Sequence, residues 1–366
     1  MIWVFYVAVV LALIILATDL TLIISWRWNF KSHHFDRGTY PQVSILVAAR
    51  NEEKNIESCL RGLLSVDYPK EKIEILVGND DSTDNTLVIA RALAEEDNRI
   101  KVFDIKTVLG QARGKANVLA HLANQARGEF YFISDADTRV QRGWIKNLLY
   151  AVHQNVGMIS GVTAVAGKSL WARLQNMEWL NALGMLKVVT DFNVPVTGIG
   201  NNMMITREAY EKVGGYENIP FSIVEDFQLT RAMLAEGFKV INLIDVQVLA
   251  TTKAVSELKG IFNQRKRWMH GALKIPVILK LILIAQALVL PAGLALFFYD
   301  FTLAISFLLL KISLRTTFTF FIYKKVKQKI NFDAVLLYDL YVSLLSVMTL
   351  LYFVIPVKVD WKGRKY

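Results

Sequence analysis

The chain has 366 residues, of which 54% are hydrophobic, and a formal net charge of +10. This apolar content is too high for an ordinary soluble protein of that length, so the sequence predicts membrane segments. The basic charge suits anionic lipid headgroups, with no nucleic acid expected as a partner, and the single cysteine, Cys59, excludes an intrachain disulfide.

Residues 1–26 form the first predicted element, a retained membrane anchor. The stretch is almost unbroken apolar sequence with one charge, Asp19, and about 20 helical residues suffice to span a bilayer core. It lacks the basic start and the small-residue cleavage site of a signal peptide. Because the basic residues Arg27, Lys31 and Arg37 follow it, we expect the N-terminus outside and the central domain in the cytoplasm.

The stretch from residue 41 to residue 254 alternates strand-like and helix-like patterns, which predicts parallel βαβ units and an α/β, Rossmann-like fold. The carboxyl ends of such strands line one crevice, where a ligand binds. Cys59 takes a core position in one of the helices. The predicted strands are residues 43–48, 73–77, 101–105 and a run that begins at Phe130, and the predicted helices are residues 52–64, 87–95 and 116–125.

Polar clusters follow three of these strands, at residues 48–53, 79–81 and 135–137. Carboxylates gathered on one rim repel each other and need a cation or donor groups between them. Two aspartates spaced two residues apart, as in the third cluster, suit a hard divalent cation that in turn holds a diphosphate. A solvated aspartate turn is the alternative for that pair alone. Arg50, in the first cluster, is either a surface residue or a phosphate contact.

Two further stretches carry charge at the start of a predicted helix. The glycine-rich run from Gly110 to Lys115 offers backbone donors and an ammonium group, which suit phosphate, although it is not a P-loop. Glu225 and Asp226 open a later amphipathic helix, where the helix dipole favours acidic residues whether or not they are functional.

The C-terminal part returns to apolar sequence. Residues 255–274 predict an amphipathic helix on the membrane surface, residues 275–356 about three spans, and residues 357–366 a basic tail. Four spans in all place this tail outside, against the positive-inside trend, unless one segment lies in the interface. The predicted spans are residues 276–298, 301–323 and 334–356, and their charged residues must snorkel or face a polar lumen: Lys280, Lys311, Arg315 and Asp339.

Six motifs in order resemble the inverting family 2 glycosyltransferases, which have a GT-A fold. The ordered set is far more specific than any one motif. Residues 48–50 depart from the family's pattern because they lack the tyrosine that many members place before Asn51, and Asp81 stands where many members carry glycine. The motifs are residues 43–53, 79–86 with 114–116, 135–137, 200–207 with 213–216, 224–226 and 264–268.

The resemblance implies a nucleotide-sugar donor, usually a UDP-sugar, and a divalent cation, Mg²⁺ or Mn²⁺. It implies cation ligation by Asp135 and Asp137, with Asp226 as the general base and Trp268 at the acceptor end. The implied donor contacts are Ala49, Glu53, Asp80, Lys115, Asp135 and Arg267. The implied catalytic set is Glu225, Asp226, Gln264, Arg267 and Trp268. From the residues alone, the basic triplet 265–267 also fits a membrane-surface stripe, and Trp268 an interfacial anchor.

The acceptor stays open between two classes. The signature at residues 264–268 occurs in processive polysaccharide synthases and in ceramide glucosyltransferases, which add one sugar to a lipid. One span before the domain and at most three after it favour a single transfer to a lipid or lipid-linked acceptor. A processive β-linked polysaccharide synthase and a non-catalytic sugar- or lipid-carrier-binding module are the alternatives. We expect a multi-pass protein of the plasma (inner) membrane.

Overall fold

The computed structural model describes residues 2–34, 38–356, 360–362 and 364–365; Arg37 and part of the basic tail lie outside these ranges. The chain divides into two compact units. The sheet unit comprises Lys31–Ala164 and Val189–Lys253, and the helical unit comprises Met1–Phe30, Val165–Val188 and Ala254–Tyr366.

Strands and helices alternate along the middle of the chain, helices flank this part on both sides, and two short strands come last. The strands are β1 Val43–Ala49, β2 Ile73–Asn79, β3 Ile100–Asp104, β4 Phe130–Asp135, β5 Arg139–Val140, β6 Val156–Ser160, β7 Thr163–Ala166, β8 Asn202–Thr206, β9 Lys239–Asn242, β10 Ala250–Lys253, β11 Asp360–Trp361 and β12 Arg364–Lys365. The helices are α1 Ile2–Asn29, α2 Ile56–Leu64, α3 Thr86–Glu96, α4 Lys115–Gln125, α5 Trp144–Leu149, α6 Leu170–Asp191, α7 Arg207–Lys212, α8 Gly215–Asn218, α9 Glu225–Ala235, α10 Leu258–Ala272, α11 Val277–Ala287, α12 Val289–Tyr299, α13 Phe301–Lys325 and α14 Phe332–Val354.

A seven-stranded sheet forms the centre of the sheet unit, in the order β3-β2-β1-β4-β8-β6-β9. The strands β1 to β4 are parallel, and β8 runs antiparallel to both of its neighbours. β1 and β2 are apolar and almost wholly buried, as strands covered on both faces must be. The predicted α/β, Rossmann-like class and its parallel βαβ units are confirmed, and Cys59 is buried in the core at 1% exposure.

The predicted helix at residues 52–64 begins four residues late, at Ile56. The chain before it forms a loop, because Asn51 has a left-handed φ of 52° and the N–H of Glu52 donates to Thr86 Oγ1 at 2.7 Å. Asp81 also has a left-handed φ, 55°. Glycine adopts this conformation without strain, which explains why glycine is common at this position in the family that the sequence resembles.

The helical unit contains three helices long and apolar enough to cross a membrane, α1, α13 and α14, among the residues that the structure describes. The stretch predicted as a span at residues 276–298 forms two helices, α11 and α12, which meet at an angle of 51°. Pro291 explains the break: it lacks an N–H, and its ring clashes with the carbonyl group four residues earlier, at Ala287, where α11 ends. Counted as one broken span, this pair makes four.

Contacts within the helical unit fix the directions of these helices. Phe5 near the start of α1 lies 5.6 Å from Tyr299 at the end of α12, ring centroid to centroid. Arg27 near the end of α1 lies 5.9 Å from the ring centroid of Phe321 near the end of α13. α12 therefore runs antiparallel to α1 and α13 parallel to it.

Charged residues in the apolar helices pair with each other. Lys311 Nζ lies 2.5 Å from Asp19 and donates to Gln286 Oε1 at 2.8 Å. Arg315 donates to the same amide oxygen at 2.8 Å and lies 3.7 Å from Asp19 and 3.9 Å from Asp339. The two cationic and two anionic side chains thus neutralise one another inside the helical unit. Charged residues in apolar helices are tolerated when they pair in this way.

Both ends of α14 contact helices that are not candidate spans. Asp333, in its first turn, forms an ion pair with Arg173 of α6. At its other end, the carbonyl oxygen of Ile355 accepts a hydrogen bond from Lys266 of α10 at 2.7 Å. The predicted amphipathic helix at residues 255–274 is present as α10, and α14 lies against it and α6.

Candidate active site

The carboxyl ends of β1, β2 and β4 lie side by side, as the sequence predicts. Parallel pairing sets Asn79 opposite Ala49 and Asp135 opposite Ala48. The N–H of Asp80 donates to the carbonyl oxygen of Ala49 at 2.8 Å, which ties the ends of two strands together. These residues form a rim at one edge of the sheet.

Hydrogen bonds between the loops after β1 and β2 fix this rim. Arg50 donates to the carbonyl oxygens of Asp80 and Asp81, the latter at 3.2 Å. Glu53 Oε2 accepts from the N–H and the side-chain amide of Asn85, each at 3.2 Å. Arg50 therefore connects the loops after β1 and β2 by hydrogen bonds, a role that neither sequence interpretation included. Glu53 binds Asn85, the residue before α3.

Lys115, the first residue of α4, reaches a group of carboxylates. Its Nζ lies 2.6 Å from Asp135 and 3.1 Å from Glu225, and it donates to the carbonyl oxygen of Gly200 at 3.0 Å. The preceding Gly114 has a φ of 55°, which glycine tolerates. Burial by itself lowers the pKa of Lys115, but the two carboxylates outweigh it and raise that pKa above its ordinary value. The ammonium group therefore stays charged.

Asp226 lies beside Glu225 in the first turn of α9. Its Oδ2 accepts from the N–H of Gly200 at 2.8 Å, and its Oδ1 from the N–H of Phe227 at 2.7 Å. A Cβ at position 200 would lie 2.9 Å from Asp226 Oδ2, so glycine permits this approach. The two donors hold the carboxylate in one orientation.

Asp135 and Asp137 present two carboxylates at the exit of β4. The Asp135 side chain is 33% exposed beside Lys115, and Asp137 accepts a hydrogen bond from the Thr252 hydroxyl at 3.3 Å. Among the residues that the structure describes, no group of three or more His, Cys, Asp or Glu side chains is placed to hold a metal ion. These two residues would hold a hard divalent cation, which prefers oxygen ligands.

Tyr216, from the motif at residues 213–216, lies in the hydrophobic cluster that includes Ala116 and Leu229. It is 2% exposed, and its hydroxyl has no hydrogen-bond partner in the described part of the chain. Burial raises the pKa of Tyr216, and the Glu225 carboxylate raises it further, so the hydroxyl keeps its proton.

Gln264, Arg267 and Trp268 lie on α10, in the helical unit. The Trp268 ring meets Trp179 of α6 edge-on at 5.3 Å between centroids. The membrane-surface stripe that the basic triplet suggested is wrong for its first two members. The side chain of Arg265 is 12% exposed and pairs with Glu178, and Lys266 is 5% exposed and hydrogen-bonded to α14.

Within the sheet unit, the structure brings Lys115, Asp135, Glu225 and Asp226 together, with Gly200 contacting the first and the last. Sequence reasoning missed this double contact of Gly200, although the residue lies in a quoted motif. It also missed Thr252, for which no local signal exists because 115 residues separate it from its partner Asp137. Glu178 was likewise missed, since an acidic residue in an amphipathic helix is unremarkable.

Comparison with known proteins identifies a family model that matches nearly the whole chain and relatives that match part of it. The model of "Glycosyl transferase family 21" matches residues 4–366. A beta-monoglucosyldiacylglycerol synthase of Synechocystis is 28% identical over 239 residues, 63% of this chain and 48% of that protein. A poly-beta-1,6-N-acetyl-D-glucosamine synthase of Staphylococcus aureus is 26% identical over 234 residues, 63% of this chain and 54% of that protein. The chain thus spans about half the length of the curated relatives it matches.

A solved structure has the same fold. A mannosyltransferase from Pyrobaculum calidifontis, in complex with GDP-Man and Mn²⁺, superimposes with a TM-score of 0.60 at 22% identity, over 95% of this chain and 99% of that one. The similarity supports the predicted GT-A architecture with flanking apolar helices.

Proposed function

The chain belongs to glycosyl transferase family 21, and we propose that it is a membrane-bound, inverting enzyme that moves a sugar from a nucleotide-sugar donor, a UDP-sugar in the first instance, to a hydroxyl group of a membrane lipid. The observation that carries the proposal is the group of Lys115, Asp135, Glu225 and Asp226 in the sheet unit. A displacement at a sugar carbon requires a positive charge, here the buried ammonium group of Lys115, and an oriented carboxylate, here that of Asp226, next to a strand exit.

Asp226 is the general base of the proposed reaction. The acceptor hydroxyl gives its proton to the Asp226 carboxylate while its oxygen attacks the anomeric carbon of the sugar. The bond from that carbon to the diphosphate breaks, and the nucleoside diphosphate leaves with the electron pair. A single displacement inverts the configuration at the anomeric carbon, and no covalent enzyme intermediate forms.

The leaving diphosphate needs positive charge around it. Lys115 supplies one such charge because its raised pKa keeps it protonated, and the family resemblance assigns a second to Arg267. Asp135 and Asp137 would hold Mg²⁺ or Mn²⁺, which neutralises phosphate charge when bound. Ala49 and Asp80 contact the nucleoside. Glu53 supports this subsite through Asn85, and Glu225 keeps Lys115 in place.

A single transfer to a lipid agrees with the charges in the apolar helices. A channel for a growing polysaccharide needs polar groups that face a lumen, whereas Asp19, Lys311, Arg315 and Asp339 pair with one another. The Synechocystis relative is named for a glycolipid product. The Staphylococcus relative is named for a polysaccharide, so a processive synthase is the second candidate. In both cases Gln264 and Trp268 lie at the acceptor end.

A donor screen tests the proposal. The purified full chain is incubated with each of several nucleotide sugars, Mn²⁺ and total membrane lipid, and products are identified by mass. One lipid carrying one added sugar, with release of one nucleoside diphosphate, is the expected result. A product with many sugars on one acceptor supports the synthase instead, and binding of donors without any release supports a non-catalytic module.

The proposed setting is a multi-pass membrane protein with the sheet unit in the cytoplasm. We assign the crossings to α1, the bent α11–α12 pair and α13, and we place α14, whose two ends contact α6 and α10, at the cytoplasmic interface. Since α13 is parallel to α1, the chain must cross once between them, which favours a spanning role for the α11–α12 pair.

A further inference from the structure

The Trp268 ring is held on two sides by neighbours in the helical unit. Trp179 meets it with 5.3 Å between centroids and 68° between ring planes. The guanidinium carbon of Arg265 lies 4.8 Å from the same ring centroid. A cation over an indole face is attracted by the ring quadrupole, more strongly when water is excluded. The side chain of Trp268 therefore has a defined orientation.

Glu178 fixes the arginine that contacts this ring. Its Oε2 accepts hydrogen bonds from the Arg265 guanidinium and, at 3.0 Å, from the Tyr341 hydroxyl of α14. The Arg265 and Glu178 side chains are only 12% and 15% exposed. Glu178 immediately precedes Trp179 on α6, so one turn of α6 supplies both the ring contact and the anion. The remaining neighbour in the triplet, Lys266, is fixed separately by α14.

We propose that Glu178 and Arg265 are positioning residues that hold Trp268 in the orientation needed at the acceptor end of the site. The inference rests on the proposed function, in which Trp268 contacts the lipid acceptor. Neither residue touches the reacting atoms. A small displacement of a substrate-contacting group lowers the rate because the acceptor oxygen then misses its line of attack.

The test compares variants of the full chain that lose one charge. Arg265→Gln removes the cation above Trp268, and Glu178→Gln keeps the size of the anion but not its charge. Lys259→Gln, an exposed lysine on the same helix, is the matched control. Arg265→Lys keeps the charge without the planar group and serves as the conservative variant if Arg265→Gln does not fold. UDP-glucose and diacylglycerol are the probe substrates, or else the pair that the donor screen returns.

Three readouts separate positioning from general support of the fold. We expect Arg265→Gln and Glu178→Gln to lower kcat/KM for the lipid roughly 10- to 100-fold, with nucleotide release to water in the absence of lipid unchanged. We expect the circular-dichroism couplet of the Trp179–Trp268 pair, defined by its loss in Trp268→Phe, to weaken in both variants. Lys259→Gln should match the parent protein in every readout.

Two results would overturn the inference. One is a lost couplet with the kcat/KM for lipid as in Lys259→Gln, which would mean that the orientation of Trp268 does not matter. The other is an intact couplet in both variants, which would mean that the ion pair does not hold the ring. If the parent protein transfers no sugar from any donor, the proposed function fails instead, and the couplet still reports on the positioning.

Discussion

Replacing Lys115 by methionine is the perturbation whose cost follows most directly from the structure. The Lys115 and Glu225 side chains are each 10% exposed, and Asp135 is 33% exposed. Removing one partner of a buried ion pair costs about 3–5 kcal/mol, and the partial exposure of Asp135 favours the lower end. At about 3 kcal/mol, a unit of this size should lose about 6–12 °C in melting temperature.

The pH dependence of the effect follows from the charge on Lys115. In the parent protein the raised pKa of Lys115 gives a stabilisation that is fully present below the unfolded lysine pKa, hence throughout pH 5–8. A stabilisation of this kind is lost only as pH rises through the folded lysine pKa. The deficit of Lys115→Met should therefore stay constant between pH 5 and pH 8.

Thermal unfolding of the full chain in detergent, followed by circular dichroism, measures this difference. Lys106→Met is the matched control: its ammonium lies 3.2 Å from Asp81 and 3.4 Å from Asp104, but its side chain is 59% exposed. Such surface pairs contribute little, so we expect no measurable shift. Equal shifts for the two variants, or a Lys115→Met deficit that vanishes between pH 8 and pH 5, would refute the reasoning.

The remaining predictions concern the helical unit and one rim residue. Lys311→Met alone should destabilise the protein by about 3–5 kcal/mol, because it removes one partner of a buried ion pair. Adding Asp19→Leu should restore much of this stability, because removing both partners leaves neither charge without its partner. Denaturation of the two variants measures the difference. Asp81→Val should cost about 1–3 kcal/mol, and Asp81→Gly less, because the left-handed φ at this position strains a branched side chain; melting temperatures check it. A reporter fused after the last residue should lie on the cytoplasmic side, because both ends of α14 contact α6 and α10.

Each of these predictions has a result that would contradict it. A double variant at positions 19 and 311 as unstable as the single one would mean that the pair is not an independent unit. An Asp81→Val protein with unchanged melting temperature would show that the loop relaxes freely. A reporter exposed on the outer face would mean that α14 crosses the membrane.

The strand pattern and the rim were predictable because they depend on local sequence. Buried apolar runs and turn residues mark β1, β2 and β4, and parallel pairing alone then places Asp80 and Asp135 at one edge. The start of α9 at Glu225 also follows from local pattern. The predicted resemblance to glycosyltransferases is confirmed, with family 21 as the matching model. The roles assigned to single site residues stay predictions.

What sequence reasoning missed depends on contacts between distant residues. Lys115 with Glu225 and Asp19 with Lys311 meet only after the fold has formed, and periodicity carries no information about such pairs. The late start of α2 depends on the left-handed Asn51. The break before α12 had a local signal, Pro291, but within an apolar run a proline kinks one span or separates two helices, and packing decides between them.

The central claim is that Asp226 takes the proton of the acceptor hydroxyl, and one rate comparison tests it most directly. The rate of sugar transfer and the affinity for the donor are both measured for Asp226→Asn. The control is Asp245→Asn, which makes the same chemical change at an exposed carboxylate of the sheet unit. We predict that transfer by Asp226→Asn falls about 10²- to 10⁴-fold while donor affinity is kept and Asp245→Asn remains fully active. Transfer by Asp226→Asn at the rate of the parent protein would contradict the account.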